Sequence, residues 1–437
     1  MILRSRTVVT PSGTRAATIH IENGRIGRVG EHGEGADVDY GDLVVMPGLV
    51  DSHVHVNEPG RTDWEGFESA TRAAAAGGVT TLVDMPLNSI PPTTSVEALM
   101  TKAEAMEGKC WIDVGLWGGA VPGNAPELHA MLDHGALGFK CFLVDSGAPE
   151  FEHLDGDGLR DALNALAGTN APLLVHAELP EKLRFIDGDP RSYRLYLASR
   201  PPEAEDAAIE LLSAECAASG VRAHVVHLSS AGGLEILRRA RDARVPLTAE
   251  TTPHYLHFEA ESIPDGAPAF KCAPPIREHA NREALWRGVH EGLLSAIVSD
   301  HSPCPPELKR LSKGDVAHAW GGIASLQFGL PVIWSERRLT LEQIAELMCS
   351  GPARVAGLQD REGSIAAGLE ADFVIFDPQG RFAITPEMIQ HRHKVTPYAG
   401  EEMRGVVKTT WLRGRKVWDD GKPIGNPRGM WIRGSSS

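Results

Sequence analysis

Four histidines, one lysine and one aspartate in this sequence have types and positions suited to holding metal ions. The densest stretch is "MPGLVDSHVHVNEPGR", in which His53 and His55 flank one valine inside an apolar run. In a strand, residues i and i+2 point to the same face. The two imidazoles would converge on one point, as two ligands of one ion require. A hydrogen-bonded pair of core histidines has the same spacing, so the motif alone does not decide. Other apolar runs end in the same kind of residue: His176 closes "LLVHAE", His227 closes "HVVHLSS" and Asp300 closes "AIVSDHSPC". Histidine and aspartate are zinc-type ligands.

Lys140, in "GFKCFL", is the odd member. An ammonium with a reference pKa of about 10.4 does not belong among cations. Desolvation and nearby positive charge favour the neutral amine. A neutral amine can add CO2 to form a carbamate, an anionic oxygen ligand. Two divalent ions carry about +4, and Asp300, a carbamate and a bridging hydroxide remove about three of those charges. A strand-end lysine in an ion pair is the plainer alternative, and the flanking Phe139 and Phe142 argue against it.

Elements must bring these residues together. Eight short apolar runs, from "GLVDSHVHV" to "SAIVSD", alternate with helix-like stretches such as "WEGFESATRAAAAGG", "EAEDAAIELLSAECAASG" and "GGLEILRRARDA". The pattern predicts an α/β chain built as a (β/α)8 TIM barrel over residues 48–358, its site at the C-terminal ends of the strands. An open doubly wound sheet is the alternative, but no GxGxxG or P-loop follows any strand. Both chain ends read as β structure, with Asn23-Gly24 as a hairpin turn. Residues 1–47 and 359–437 are expected to form a small β-sandwich, ending in a flexible "RGSSS" tail.

The 437 residues are 42% hydrophobic, 23% charged and carry a net charge of -15. That charge speaks against nucleic-acid or acidic-membrane partners. There is no signal-peptide h-region and no apolar stretch of the ~20 residues that span a bilayer. Six widely spaced cysteines without a CxxC pair suit reduced thiols and a cytoplasmic location.

These stretches, together with "HVHVNEPGRTDWEGF", "DMPLNSIPPTT", "DVGLWGGAVPGN", "ETTPHYL" and "KCAPPIR", resemble the cyclic amidohydrolases, a branch of the amidohydrolase superfamily, over nearly the whole chain. Within the branch they are similar to the allantoinase group. The resemblance implies that His53, His55, His176 and His227 are metal ligands. It makes Lys140 an N6-carboxylysine bridging two divalent ions, and Asp300 both ligand and catalytic acid/base. Zinc suits such ligands, as do cobalt, manganese and iron. The implied reaction opens the ring of allantoin to allantoate; a hydantoinase, dihydropyrimidinase or dihydroorotase reaction is the alternative. A homotetramer or dimer is also implied.

Asn57 is expected to follow His53 and His55 into the pocket, where dihydroorotases have an arginine for the substrate carboxylate. A neutral asparagine suits an uncharged ring. Hydantoinases carry a tyrosine shortly after the bridging lysine; "KCFLVDSG" has none, which leaves the second oxyanion donor unassigned. Asn88, Ala273 and Gly322, with its neighbour Gly321, are further expected substrate contacts. His224 is expected to face away from His227 and pack on a helix. His301 should point away from Asp300, His254 should support the site without ligating, and Glu178 should orient a ligand or cap its strand.

Overall fold

The eight apolar runs are the strands of one closed parallel barrel in the computed structural model, which describes residues 1–185 and 187–434. The first three strands are Leu49–Val54, Val79–Asp84 and Asp113–Leu116. The fourth to eighth are Phe139–Phe142, Leu173–His176, Ala223–Val225, Leu247–Thr251 and Ala296–Ile297. Gly118 and Gly119 carry the third strand on to pair with the fourth, Phe139 opposite Gly118. The His55 N–H donates to the His301 carbonyl at 2.8 Å and joins the first strand to the end of the eighth. The strands are apolar on both faces because side chains fill the barrel inside and helices cover it outside. The outer layer includes Phe67–Ala76, Pro202–Ser219, Gly232–Asp242 and His279–His290, all read from the sequence. Val96–Ala105, Leu128–Asp133 and Gly156–Leu166 follow the second, third and fourth strands.

Both chain ends enter one nine-stranded sheet. Val44–Pro47 is its seam. It pairs in parallel with Ile2–Thr10 and antiparallel with Phe373–Ala383. One face buries Leu3, Ile19, Val45, Phe373 and Trp411. The predicted turn is present: Asn23 and Gly24 have φ of 53° and 80°, the pair of positive values that a two-residue hairpin needs.

Just before the expected tail, the chain joins the barrel. Trp431–Ile432 pairs in parallel with the third barrel strand, and the Met430 N–H donates to the Asp113 carboxylate at 2.8 Å. "RGSSS" is therefore placed as far as Gly434, and its three serines lie outside the described residues. Among the described residues, no helix is long and apolar enough to cross a membrane.

Candidate metal centre

His53, His55, Lys140, His176, His227 and Asp300 all line one cavity of about 1080 Å3 at the C-terminal ends of the strands. Ligand atoms of His53, His55 and Asp300 lie within 4.8 Å of one another. Asp300 Oδ1 is 3.2 Å from His53 Nε2 and 3.6 Å from His55 Nε2. The His227 ring sits 5.3 Å from that of His53 and 4.7 Å from that of His176.

Three of the six residues, His53, Lys140 and His176, lie in the strands, and the other three lie just past strand ends. Asp300 and His227 both lie beyond the last paired residue, with φ of 44° and 39°. Left-handed backbone at non-glycine residues costs on the order of 1 kcal/mol and is typical of functional sites. Asp51 holds this turn: its carboxylate accepts the Ser299 N–H at 3.1 Å and the His53 N–H at 3.2 Å.

Each of three imidazoles is anchored through one nitrogen, and in His53 and His55 the other faces Asp300. His53 Nδ1 donates to Glu250 at 2.7 Å, His55 Nδ1 to the Leu87 carbonyl at 3.1 Å, and His176 Nε2 to Glu178 at 2.7 Å. Glu178 is shared with Arg200, 2.5 Å away, so it orients His176 and does not merely cap the strand. Burial pushes the Glu178 carboxyl up, but the Arg200 charge and the His176 bond outweigh burial and hold it at about 2. Burial lowers His176 to about 4 and His227 well below its ordinary value. Burial also lowers His53. Neutral imidazoles are the ligand form.

Lys140 is fully buried. Its Nζ lies 4.6 Å from the centre of the Phe142 ring, and it has no hydrogen-bond partner among the described residues. Burial lowers its pKa to about 7. His227 Nδ1 is likewise buried without a partner. Orphaned buried polar atoms are rare and mark sites completed by an ion or ligand. An unpartnered amine, an unpartnered imidazole nitrogen, three further imidazoles and a carboxylate lining one cavity fit a pair of divalent ions with a lysine carbamate.

Glu250, which the sequence reading passed over, is the main addition. It lies on the seventh strand and accepts from His53 and, at 3.1 Å, from His224 Nε2. Burial pushes its carboxyl up, and the bonds from His224 and His53 outweigh that and hold it at about 2. His224 therefore takes its polar partners from the seventh strand and not from a helix. Its other nitrogen meets Thr248 Oγ1 at 2.7 Å, and it supports a ligand through Glu250. The signal was available, since Glu250 is a carboxylate near the end of a strand like the residues that were chosen. We expect Glu250→Gln to lower divalent-metal affinity about 10- to 100-fold with the fold retained. Metal titration beside thermal unfolding checks this, and unchanged affinity would contradict the role.

The expected substrate contacts fare unevenly. Asn57 lies past the end of its strand at Val54, with φ 66°, and does not line the cavity. Its Nδ2 donates to the Pro303 carbonyl at 3.3 Å and its Oδ1 accepts from Asn88 Nδ2 at 3.1 Å. Asn88 does line the cavity, and Arg61 holds its carbonyl at 2.7 Å. Ala273 lies in the wall between two carbonyls fixed at 2.6 Å by tyrosine hydroxyls, Cys272 by Tyr196 and Pro274 by Tyr255. Gly322 also lines the cavity, but its N–H donates to the Lys271 carbonyl and its own carbonyl accepts from Lys309. Its main-chain groups serve the loop. Gly321 lies beside it in the wall. His301 points away from the site as expected, its Nδ1 accepting the Ser325 N–H at 3.1 Å. Both His254 nitrogens are buried without a partner among the described residues, and burial lowers it to about 4.

A closed parallel barrel with histidines and an aspartate gathered at its strand ends is the architecture of a metal-centred hydrolase. The Amidohydrolase family model matches residues 44–417. The chain belongs to that family. It is 48% identical to an allantoinase of Streptomyces avermitilis, over 99% of this chain and 98% of that protein. It is 46% identical to an allantoinase of Saccharomyces cerevisiae, over 87% and 84% of the two chains. Among solved structures it is similar to the L-hydantoinase (dihydropyrimidinase) of Arthrobacter aurescens, with a TM-score of 0.92, 28% identity and 99% of each chain covered.

Proposed function

We propose that this chain is an allantoinase, hydrolysing a ring amide of allantoin to give allantoate. The observation that carries the reading is the near full-length identity to allantoinases combined with a complete set of six candidate ligands. The likeness to hydantoinases favours a second reading, a hydantoinase or dihydropyrimidinase. It ranks lower because the identity is 28% against 48% and the stretch "KCFLVDSG" after Lys140 has no tyrosine.

His53, His55, His176, His227, Lys140 and Asp300 would hold two divalent ions, with zinc the first expectation. With its pKa lowered to about 7, much of the Lys140 amine is neutral at neutral pH. Its lone pair adds to the carbon of CO2 and a proton leaves, giving a carbamate with two oxygen donors. Bound divalent ions acidify a water molecule and polarise an amide oxygen. Burial pushes Asp300 up, yet His53 and His55 outweigh it and keep the carboxyl below its ordinary value, so it is charged and able to accept a proton. Asp300 takes the proton of the attacking water and returns it to the departing ring nitrogen. The Phe142 ring, stacked on His176 at 4.7 Å, shields the Lys140 side from bulk water. The proposal extends to a cytoplasmic location, supported by six cysteines without a CxxC pair, and to a dimer or tetramer, supported by the family resemblance.

The test compares kcat/KM for allantoin, hydantoin, dihydrouracil and dihydroorotate on protein supplied with divalent metal and bicarbonate. Preference for allantoin is the expected result. Preference for another ring would overturn the substrate.

A further inference from the structure

Lys271 is a cation in the cavity wall that the proposed chemistry does not use. Its side chain is buried, and its Nζ donates to the Ala317 carbonyl at 2.7 Å. It also lies 4.9 Å from the centre of the Tyr196 ring. Among the described residues no carboxylate pairs with it. The carboxylate whose charge acts on it, Asp315, is held by Arg310 at 3.0 Å and by His318 at 3.0 Å. Arg200, another of its charged neighbours, is engaged by Glu178. Burial lowers Lys271 to about 8, which leaves most of it charged at neutral pH.

The surrounding loop is built to hold this residue. The Lys271 carbonyl receives the Gly322 N–H at 2.9 Å and Lys309 Nζ at 2.9 Å, and the same Lys309 also binds the Trp320 carbonyl at 3.0 Å. A buried ammonium with donors left over is costly unless an oxygen acceptor arrives. Its Nζ is tied to the Ala317 carbonyl, and the Ala317 N–H in turn binds the Pro190 carbonyl, so the ammonium is held among cavity-wall residues that are none of the six candidate ligands. Lys271 therefore addresses the part of a substrate remote from the bond that is broken.

We propose that Lys271 is a specificity-determining residue, whose ammonium donates to the carbonyl oxygen of the ureido arm outside the ring being opened. This rests on the allantoinase reading. A hydrogen bond from a charged donor is the strong kind, and its removal should cost about 10- to 100-fold.

The experiment measures kcat/KM of wild type and Lys271→Met on allantoin and on hydantoin, which has the ring without the arm. The expected result is that allantoin loses about 10- to 100-fold, mostly through KM, and that hydantoin is unchanged. Lys271→Arg, which keeps the cation, should restore much of the allantoin rate. If Lys271→Met does not fold, Lys271→Gln replaces it with the same expected selectivity. Equal losses on both substrates, or no loss on either, would overturn the assignment. Wild type that opens hydantoin but not allantoin would overturn the substrate reading first, before any variant is compared.

Discussion

Asp300→Asn should lose allantoin hydrolysis by about four orders of magnitude while the protein stays folded. The amide keeps the shape of the carboxylate but has almost no basicity. It cannot accept a proton from water, and it cannot return one to the leaving nitrogen. It also withdraws a negative charge that His53 Nε2 and His55 Nε2 face at 3.2 and 3.6 Å. The fold does not depend on that charge, because Asp51 and the bridges of His301 to Val54 and Ile323 hold the strand end. The check is a steady-state rate beside a thermal melt. A folded variant with a tenth of the wild-type rate would remove Asp300 from its role.

Lys140→Ala should lose about three orders of magnitude or more and release metal. The effect is chemical, since the side chain has no hydrogen-bond partner among the described residues whose loss could explain it. Lys140→Arg should fare no better. A guanidinium stays protonated and cannot add CO2. A short carboxylic acid such as propionate, added to the alanine variant, should recover part of the rate by filling the vacated space with an anionic oxygen ligand. An active arginine variant would contradict the carbamate, and so would an alanine variant that retains full activity without any added acid.

The gathering of the six candidate residues in one cavity was legible because each position depended on one local rule. Apolar runs with turns between them mark strands, and the active face of such a barrel lies at their C-terminal ends. His176, His227 and Asp300 are each found by that rule. The hairpin at Asn23-Gly24 was legible for a similar reason, since the dipeptide itself determines the turn.

What was misread depended on where a strand stops and on what faces it from another strand. The i, i+2 rule places Asn57 in the pocket only if the strand continues, and it ends at Val54. The opposite-face argument for His224 assumed that His227 is still in the strand, whereas the strand ends at Val225 and His227 turns back at φ 39°. Glu250 joins the first, sixth and seventh strands across the barrel, a contact that no single stretch of sequence contains. The main-chain partners of Gly322 are likewise set by Lys309, a buried loop lysine whose burial cannot be read from its neighbours. The pairing of Trp431–Ile432 with the third barrel strand is a contact of the same long-range kind.

The most direct test of the six-residue centre is reconstitution. Chelator-stripped protein is assayed on allantoin after return of zinc or cobalt, with and without bicarbonate, and its bound metal is counted in the same samples. A six-residue centre of this kind gives no ring opening without metal, and recovery to two ions per chain that is full only when bicarbonate is present. Full turnover by the stripped protein, or full recovery with a single ion and no bicarbonate, would contradict it.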